Sequence, residues 1–200
     1  DIAALCRIMQ DLIVHVFWVS RYQLVLPQTR LQDVSIRQIP VWLTRLQELS
    51  PGPLRSHRPL PERVVGNCRT FAVLLSAILR EQGIPARARC GFATYFQPDR
   101  YEDHWLCEYW HMAEQRWIRV DAQLDAYQQA KLAIDFDPLD VPADRFLLAG
   151  EAWLRCRQGN DDPFRYGIFD MNGLWFFRTP NSPSVPGTMT SRTCSDRSWR

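Results

Sequence analysis

Cysteine and histidine carry most of the nucleophile and base chemistry available to this 200-residue sequence, which holds six of the first and four of the second. Cys68 stands out by position. It follows Gly66-Asn67 and opens a run of apolar residues at helical spacing. A helix N-terminus offers unpaired N–H groups and partial positive charge. Both favour thiolate over thiol, and the same N–H groups can face an oxyanion formed when the sulfur attacks a carbonyl. Arg69 adds positive charge, and Gly66 is expected to permit a tight backbone entry. The same local pattern also suits a buried structural thiol.

A base must come from elsewhere. His15 lies in an apolar segment read as a helix, as a packed core residue. His57 falls in a proline-rich stretch and is expected to be solvated, and His111 falls in a turn. His104 opens a strand over residues 104–110, at the rim of a sheet. Joining that strand to a second over 116–121 by a four-residue loop, His111 to Glu114, sets Leu106 opposite Arg119 and His104 opposite Asp121. Directly opposed residues share a face. Asp121 could then hold one ring nitrogen of His104 and leave the other for Cys68.

These three residues need a particular set of elements to meet. Residues 2–19 carry apolar side chains three and four apart, and a second helix opens near Pro40. Residues 51–63 hold four prolines and a glycine and read as an extended surface connection. Asn67 to Gln82 reads as a helix ended by Gly83 and Pro85. Strands are expected over 86–96, 104–110 and 116–121, and Asn172-Gly173 signals a hairpin. The fold class is α+β: N-terminal helices, then the Cys68 helix packed on an antiparallel sheet. Residues 1–178 form one domain, and the Ser-, Thr-, Pro- and Arg-rich stretch 179–200 reads as a disordered tail.

Residues 64–125 resemble the core of the transglutaminase-like superfamily of papain-type thiol enzymes. The resemblance rests on Gly66-Asn67-Cys68-Arg69 opening the helix, His104-Trp105 opening a strand and Trp117-Ile118-Arg119-Val120-Asp121 ending the next. The flanks look like those of bacterial members. The resemblance implies Cys68 as nucleophile, His104 as base and Asp121 as orienter of an acyl transfer through a thioester. Hydrolysis and transamidation share this triad, so it does not choose between them. Trp105, next to His104, is the candidate for a substrate slot. One departure is Thr70, where many such sequences carry an acid; its loss bears on the order of the first helical turn. The sequence offers no assignment for a second oxyanion donor.

Composition bounds the rest. A net charge of +2 without basic runs argues against nucleic acid as a partner. The longest apolar stretch, Leu12 to Val19, is 8 residues and includes His15; a spanning helix needs about 20. No membrane partner is expected. The cysteine spacings show no CxxC, and with no leader visible the expected setting is reducing and cytoplasmic. No cofactor is called for. His104, Cys107 and His111 do not project together from one strand, and the acidic run Asp135 to Asp144 lacks the glycine and glutamate of a calcium loop. The substrate class is a peptide, a protein or a small amide. Two alternatives stand: a non-catalytic peptide- or protein-binding module that keeps the fold, and a redox-sensing thiol protein using Cys90 or Cys107 as the second sulfur.

Overall fold

The computed structural model describes residues 1–169 and a two-residue strand at 175–176. Helix α1 (Ile2–Leu12) is capped by Asp1, whose carboxylate accepts from the Ala3 N–H, and buries Cys6, Met9 and Leu12. It stops where the β-branched run begins. Ile13–His15 is strand β1, followed by a single 3-10 turn, Val16–Trp18. The single helix expected over 2–19 is therefore two elements, because Ile13, Val14 and Val16 fit a pleated surface better than a helix. Helix α2 (Gln28–Leu31) is one turn. Helix α3 (Ile39–Leu49) carries Pro40 in its first turn, where a missing N–H costs nothing.

Strand β2 (Val64–Gly66) lies parallel to β1 in the register Ile13↔Val64, Val14↔Val65, His15↔Gly66. Helix α4 (Cys68–Glu81) follows at once, with Phe71, Leu74, Leu75 and Leu79 buried. Each such side chain stabilises the fold by about 1.5–3 kcal/mol relative to exposure. Its end is a Schellman motif: Gly83 takes φ +76°, its N–H reaches the Arg80 carbonyl, and the Ile84 N–H reaches that of Leu79.

The main sheet follows: β3 (Ala86–Ala93), β4 (Tyr101–His111) and β5 (Arg116–Val120). After helix α5 (Ala126–Leu132) come β6 (Phe146–Leu148), helix α6 (Ala149–Arg157), β7 (Tyr166–Phe169) and β8 (Trp175–Phe176). The order is β6-β3-β4-β7-β8, with β5 also on β4. One face packs Cys107, Tyr109, Ile118 and Val120 against α4 and α1. The other packs Leu106 with Ala93, Tyr95 and Phe146. The fold is α+β, helices on a mostly antiparallel sheet. The strands flanking Asn172-Gly173 pair antiparallel, Ile168 with Phe176. That turn and the 179–200 segment lie outside the described residues.

The β4–β5 register differs from the expected one by two residues. Glu108 pairs with Arg119, Trp110 with Trp117 and His111 with Arg116, so the loop runs over 112–115 and His111 closes the strand instead of opening the turn. Gln115 turns the corner at φ 51°. A slip of two keeps every side chain on its face, whereas a slip of one would have inverted the sheet.

Gly91, the ladder partner of His104, is where β6 comes closest. A Cβ there would stand 2.3 Å from the Leu147 carbonyl oxygen and 2.6 Å from the Phe146 ring. Gly91→Ala is expected to lower stability by about 1–3 kcal/mol, read as a lower urea midpoint. Gly150→Ala in α6, where a Cβ meets nothing within 4 Å, is the matched control and should be neutral or mildly stabilising.

Candidate active site

Asn67 builds the start of α4. Its Oδ1 accepts from the Thr70 N–H at 3.2 Å, and Thr70 Oγ1 accepts from the Asn67 N–H at 3.2 Å. This is a reciprocal capping box with threonine in the role usually held by glutamate. It places Cys68 at the first helical position, half-buried, with its own N–H outside the cap's ring of bonds. Gly66 serves a different end from the one expected. It needs no unusual φ; instead a Cβ there would meet Ile13 Cγ2 at 2.8 Å and Thr70 Cβ at 3.0 Å. Its bare α-carbon lets β1 and the first turn of α4 close on each other.

His104 lies inside β4, three residues from its start, not at its opening. The ladder with β5 begins only at Cys107, and β7 takes only Tyr101 and Glu102, so that edge of β4 carries no strand from Asp103 to Leu106. There His104 Nε2 lies 2.8 Å from Asp121 Oδ2, both residues almost fully buried, and the Cys68 sulfur is among the groups that act on the His104 charge. With Nε2 on the carboxylate, Nδ1 is the nitrogen left for sulfur. Asp121 is not the ladder partner of His104. It follows the last residue of β5 and reaches His104 diagonally, held by its own N–H on the Pro138 carbonyl at 2.8 Å.

The carboxylate is fully engaged. Oδ2 also accepts from Tyr95 Oη at 2.7 Å, and Oδ1 accepts from the Gln123 N–H at 3.1 Å. Burial alone would raise the Asp121 pKa, but the His104 charge and these hydrogen bonds hold it below the usual carboxylate range. For His104, burial alone would lower the pKa. The Asp121 carboxylate and the Cys68 sulfur outweigh it, and the ring is pushed up to about 10. Tyr95, Phe96 and Phe146 enclose the imidazole, with ring centroids at 6.0, 4.9 and 6.4 Å. At neutral pH the raised pKa keeps His104 protonated.

Residues 41–122 match the model of the transglutaminase-like superfamily. Among solved structures, the chain is similar to one from Cytophaga hutchinsonii whose name assigns it provisionally to the cysteine proteases. The likeness is 19% identity with a TM-score of 0.30, over 71% of this chain and 44% of that one. No curated protein matches the chain. The matched segment contains most of α3, all of α4 and strands β3, β4 and β5, and with them Cys68, His104 and Asp121.

Within the matched segment, Trp105 follows His104 in β4. Adjacent strand residues project to opposite faces, so Trp105 leaves β4 on the side away from the His104 ring. The aromatic side chains around His104 come from Tyr95, Phe96 and Phe146 instead. Tyr95 follows β3 by two residues, in a loop whose packing no local pattern announces. Cys107, a candidate redox partner, is buried two turns down α4 from Cys68, where its sulfur accepts from Ser76 Oγ at 3.2 Å. Cys90 pairs with Asp103 at 3.9 Å. His57 is solvated as expected, bonded to Asp11 at 2.9 Å. Among the described residues no helix is long and apolar enough to cross a membrane.

His15 has a place no periodicity argument could give it. It pairs with Gly66 across β1–β2 and lies two residues from Ile13, on the face that looks onto the first turn of α4. Its Nδ1 accepts from the Phe17 N–H at 3.2 Å, which leaves the ring proton on Nε2. Burial, with the neighbouring His104 charge, holds its pKa down to about 3 against the opposing pull of Asp121, so it is a neutral donor.

Proposed function

We propose that this domain performs cysteine-dependent acyl transfer on an amide or peptide, with Cys68 as nucleophile, His104 as general acid and base, and Asp121 as the group that orients His104. The single observation that carries this reading is the buried His104 whose Nε2 bonds Asp121 and whose pKa is raised by Asp121 and by the Cys68 sulfur. An imidazolium at hydrogen-bond distance favours thiolate in its partner. Sulfur attacks the carbonyl carbon, and the tetrahedral oxyanion collapses with cleavage of the C–N bond. His104 gives its proton to the departing amine, leaving a thioester on Cys68. His104 then takes a proton from water or from a second amine, which attacks the thioester and releases the thiol. Water gives hydrolysis; an amine gives transamidation.

Two donors serve the oxyanion in this mechanism. One is the Cys68 N–H at the helix start. The other is the His15 Nε2–H, supported by its pairing with Gly66 and by the tautomer that Phe17 imposes.

The test is intact-protein mass spectrometry after mixing with an activated acetyl ester. A single acetyl should appear on Cys68, decay in buffer, and decay faster with added glycinamide if amines are accepted. Cys68→Ala should show no such adduct. His15→Ala should acylate about 10²–10³-fold more slowly, the usual cost of one oxyanion donor. An adduct spread over several cysteines, or one that never turns over, would return the fold to the binding-module reading.

A further inference from the structure

Asp121 Oδ2 carries two donors at once, His104 Nε2 at 2.8 Å and Tyr95 Oη at 2.7 Å. The acyl-transfer steps described above use only the first. The second is equally fixed. Tyr95 lies two residues past β3, where Phe96 and Phe136 pack on its ring with centroids 4.7 and 5.1 Å away. The residue is buried, and among the described residues Asp121 is the one acceptor its hydroxyl has. Burial, then the Asp121 charge, holds the phenol pKa well above its usual value, so the group stays a donor at neutral pH.

Two donors on one carboxylate oxygen draw on the same lone-pair density, so each loosens the hold on the other. Tyr95 therefore acts on the triad in two ways. It favours the ionised form of Asp121, and it draws off charge that would otherwise pull on the His104 N–H. The Gln123 N–H does not compete in this way, because it occupies Oδ1. The other titratable groups that act on this cluster come from each element packed against it: Cys6 on α1, His15 on β1, Cys68 on α4, and Glu102 and Asp103 on β4. Among the described residues none of these donates to Asp121, and Tyr95 is the only side chain besides His104 that does.

That competition bears on the direction in which a proton moves. Cleavage of the C–N bond asks the His104 imidazolium to release its proton to the departing amine; breakdown of the thioester asks the imidazole to take one. A carboxylate that gripped the imidazolium harder would hinder the first step and favour the second. We propose that Tyr95 is a positioning residue of this site, whose hydroxyl fixes Asp121 Oδ2 and moderates its pull on His104 so that the imidazolium can give its proton to the leaving group. This role rests on the acyl-transfer reading.

The experiment has one arm that needs no turnover. In the full chain labelled with ¹⁵N-histidine, the His104 Nε2–H proton resonance is followed at low temperature and assigned by its loss in His104→Ala. Tyr95→Phe keeps the ring and removes the donor, so the resonance is expected to move downfield as the bond to Asp121 strengthens. Replacing all six tyrosines with ring-fluorinated tyrosine, whose hydroxyl is the stronger donor, is expected to move it upfield. That protein keeps the test valid should Tyr95→Phe fold poorly. The second arm compares acylation of Cys68 by nitrophenyl acetate and by phenyl acetate. Tyr95→Phe should react with the nitrophenyl ester, whose leaving group needs no proton, at nearly the parent rate, and with the phenyl ester about tenfold more slowly. A merely structural loss would slow both esters alike, and that result would overturn the proposal, as would resonance shifts of the same sign in the two proteins. An unchanged resonance in a parent protein that does acylate would overturn the role of Tyr95 alone. A parent that does not acylate at Cys68 would overturn the acyl-transfer reading and this role with it.

Discussion

Asp121→Ala is expected to destabilise the protein by about 3–5 kcal/mol near pH 6, the cost of breaking a buried ion pair by removing one partner. The loss is large because three donors converge on this carboxylate: His104 Nε2, Tyr95 Oη and the Gln123 N–H. All three would be left buried without an acceptor. The pH dependence identifies the cause. The folded His104 pKa is raised, from the model-peptide 6.5 to about 10. Its contribution is therefore complete below pH 6.5 and lost as pH rises toward 10. Asp121 has a depressed pKa, so its contribution is complete above the unfolded value of about 3.9 and lost in stronger acid. The deficit of the variant should be greatest between about pH 4 and 6.5 and shrink steadily toward pH 10. Urea titrations of both proteins at pH 6, 8 and 10 would measure it. A deficit that stays constant with pH would mean that shape, not charge, is what Asp121 supplies.

The second large effect concerns sulfur. His104→Ala should slow iodoacetamide alkylation of Cys68 at pH 6 by at least tenfold, because the neighbouring positive charge that favours thiolate is gone. Cys6 and Cys107 provide the internal standard. Burial, first of all, pushes their pKa values up to about 12 and about 11. They should react slowly in both proteins, which peptide mass mapping can follow residue by residue. Equal Cys68 rates with and without His104 would remove the imidazolium from the mechanism.

The parts of this site that could be read in the chain are those written in local patterns. The Asn67 cap, the apolar stripe of α4 and the Gly83 stop are all signals within one helix. The faces of β4 and β5 survived an error of two residues in register because side-chain alternation has a period of two. What stayed hidden depended on distant partners. His15 sits in a run of apolar residues that passes for a helix until β2, some fifty residues later, pairs with it as a strand. Arg58 lies in the proline-rich stretch expected to run over the surface. It is 1% exposed, its guanidinium turned onto the carbonyls of Ser50, Gly52, Leu54 and Ser56. The surface connection is thus wrapped around a buried charge. Thr70 looked like a missing acid because its hydroxyl supplies the same reciprocal bond by a different chemical group.

The parallel pairing of β1 with β2 also has a bearing on time. Parallel neighbours cannot be joined by a tight turn, and here the connecting segment is nearly fifty residues long. During synthesis Ile13–His15 must wait for Val64–Gly66 to emerge, and Cys68 must then wait for His104 and Asp121. Long-range pairings of this kind form late in folding. In a nascent or half-folded chain Cys68 therefore lacks the His104 and Asp121 neighbours that the finished fold supplies. Under the proposed mechanism, the rate at which Cys68 is alkylated can then serve as a clock for the last step of folding.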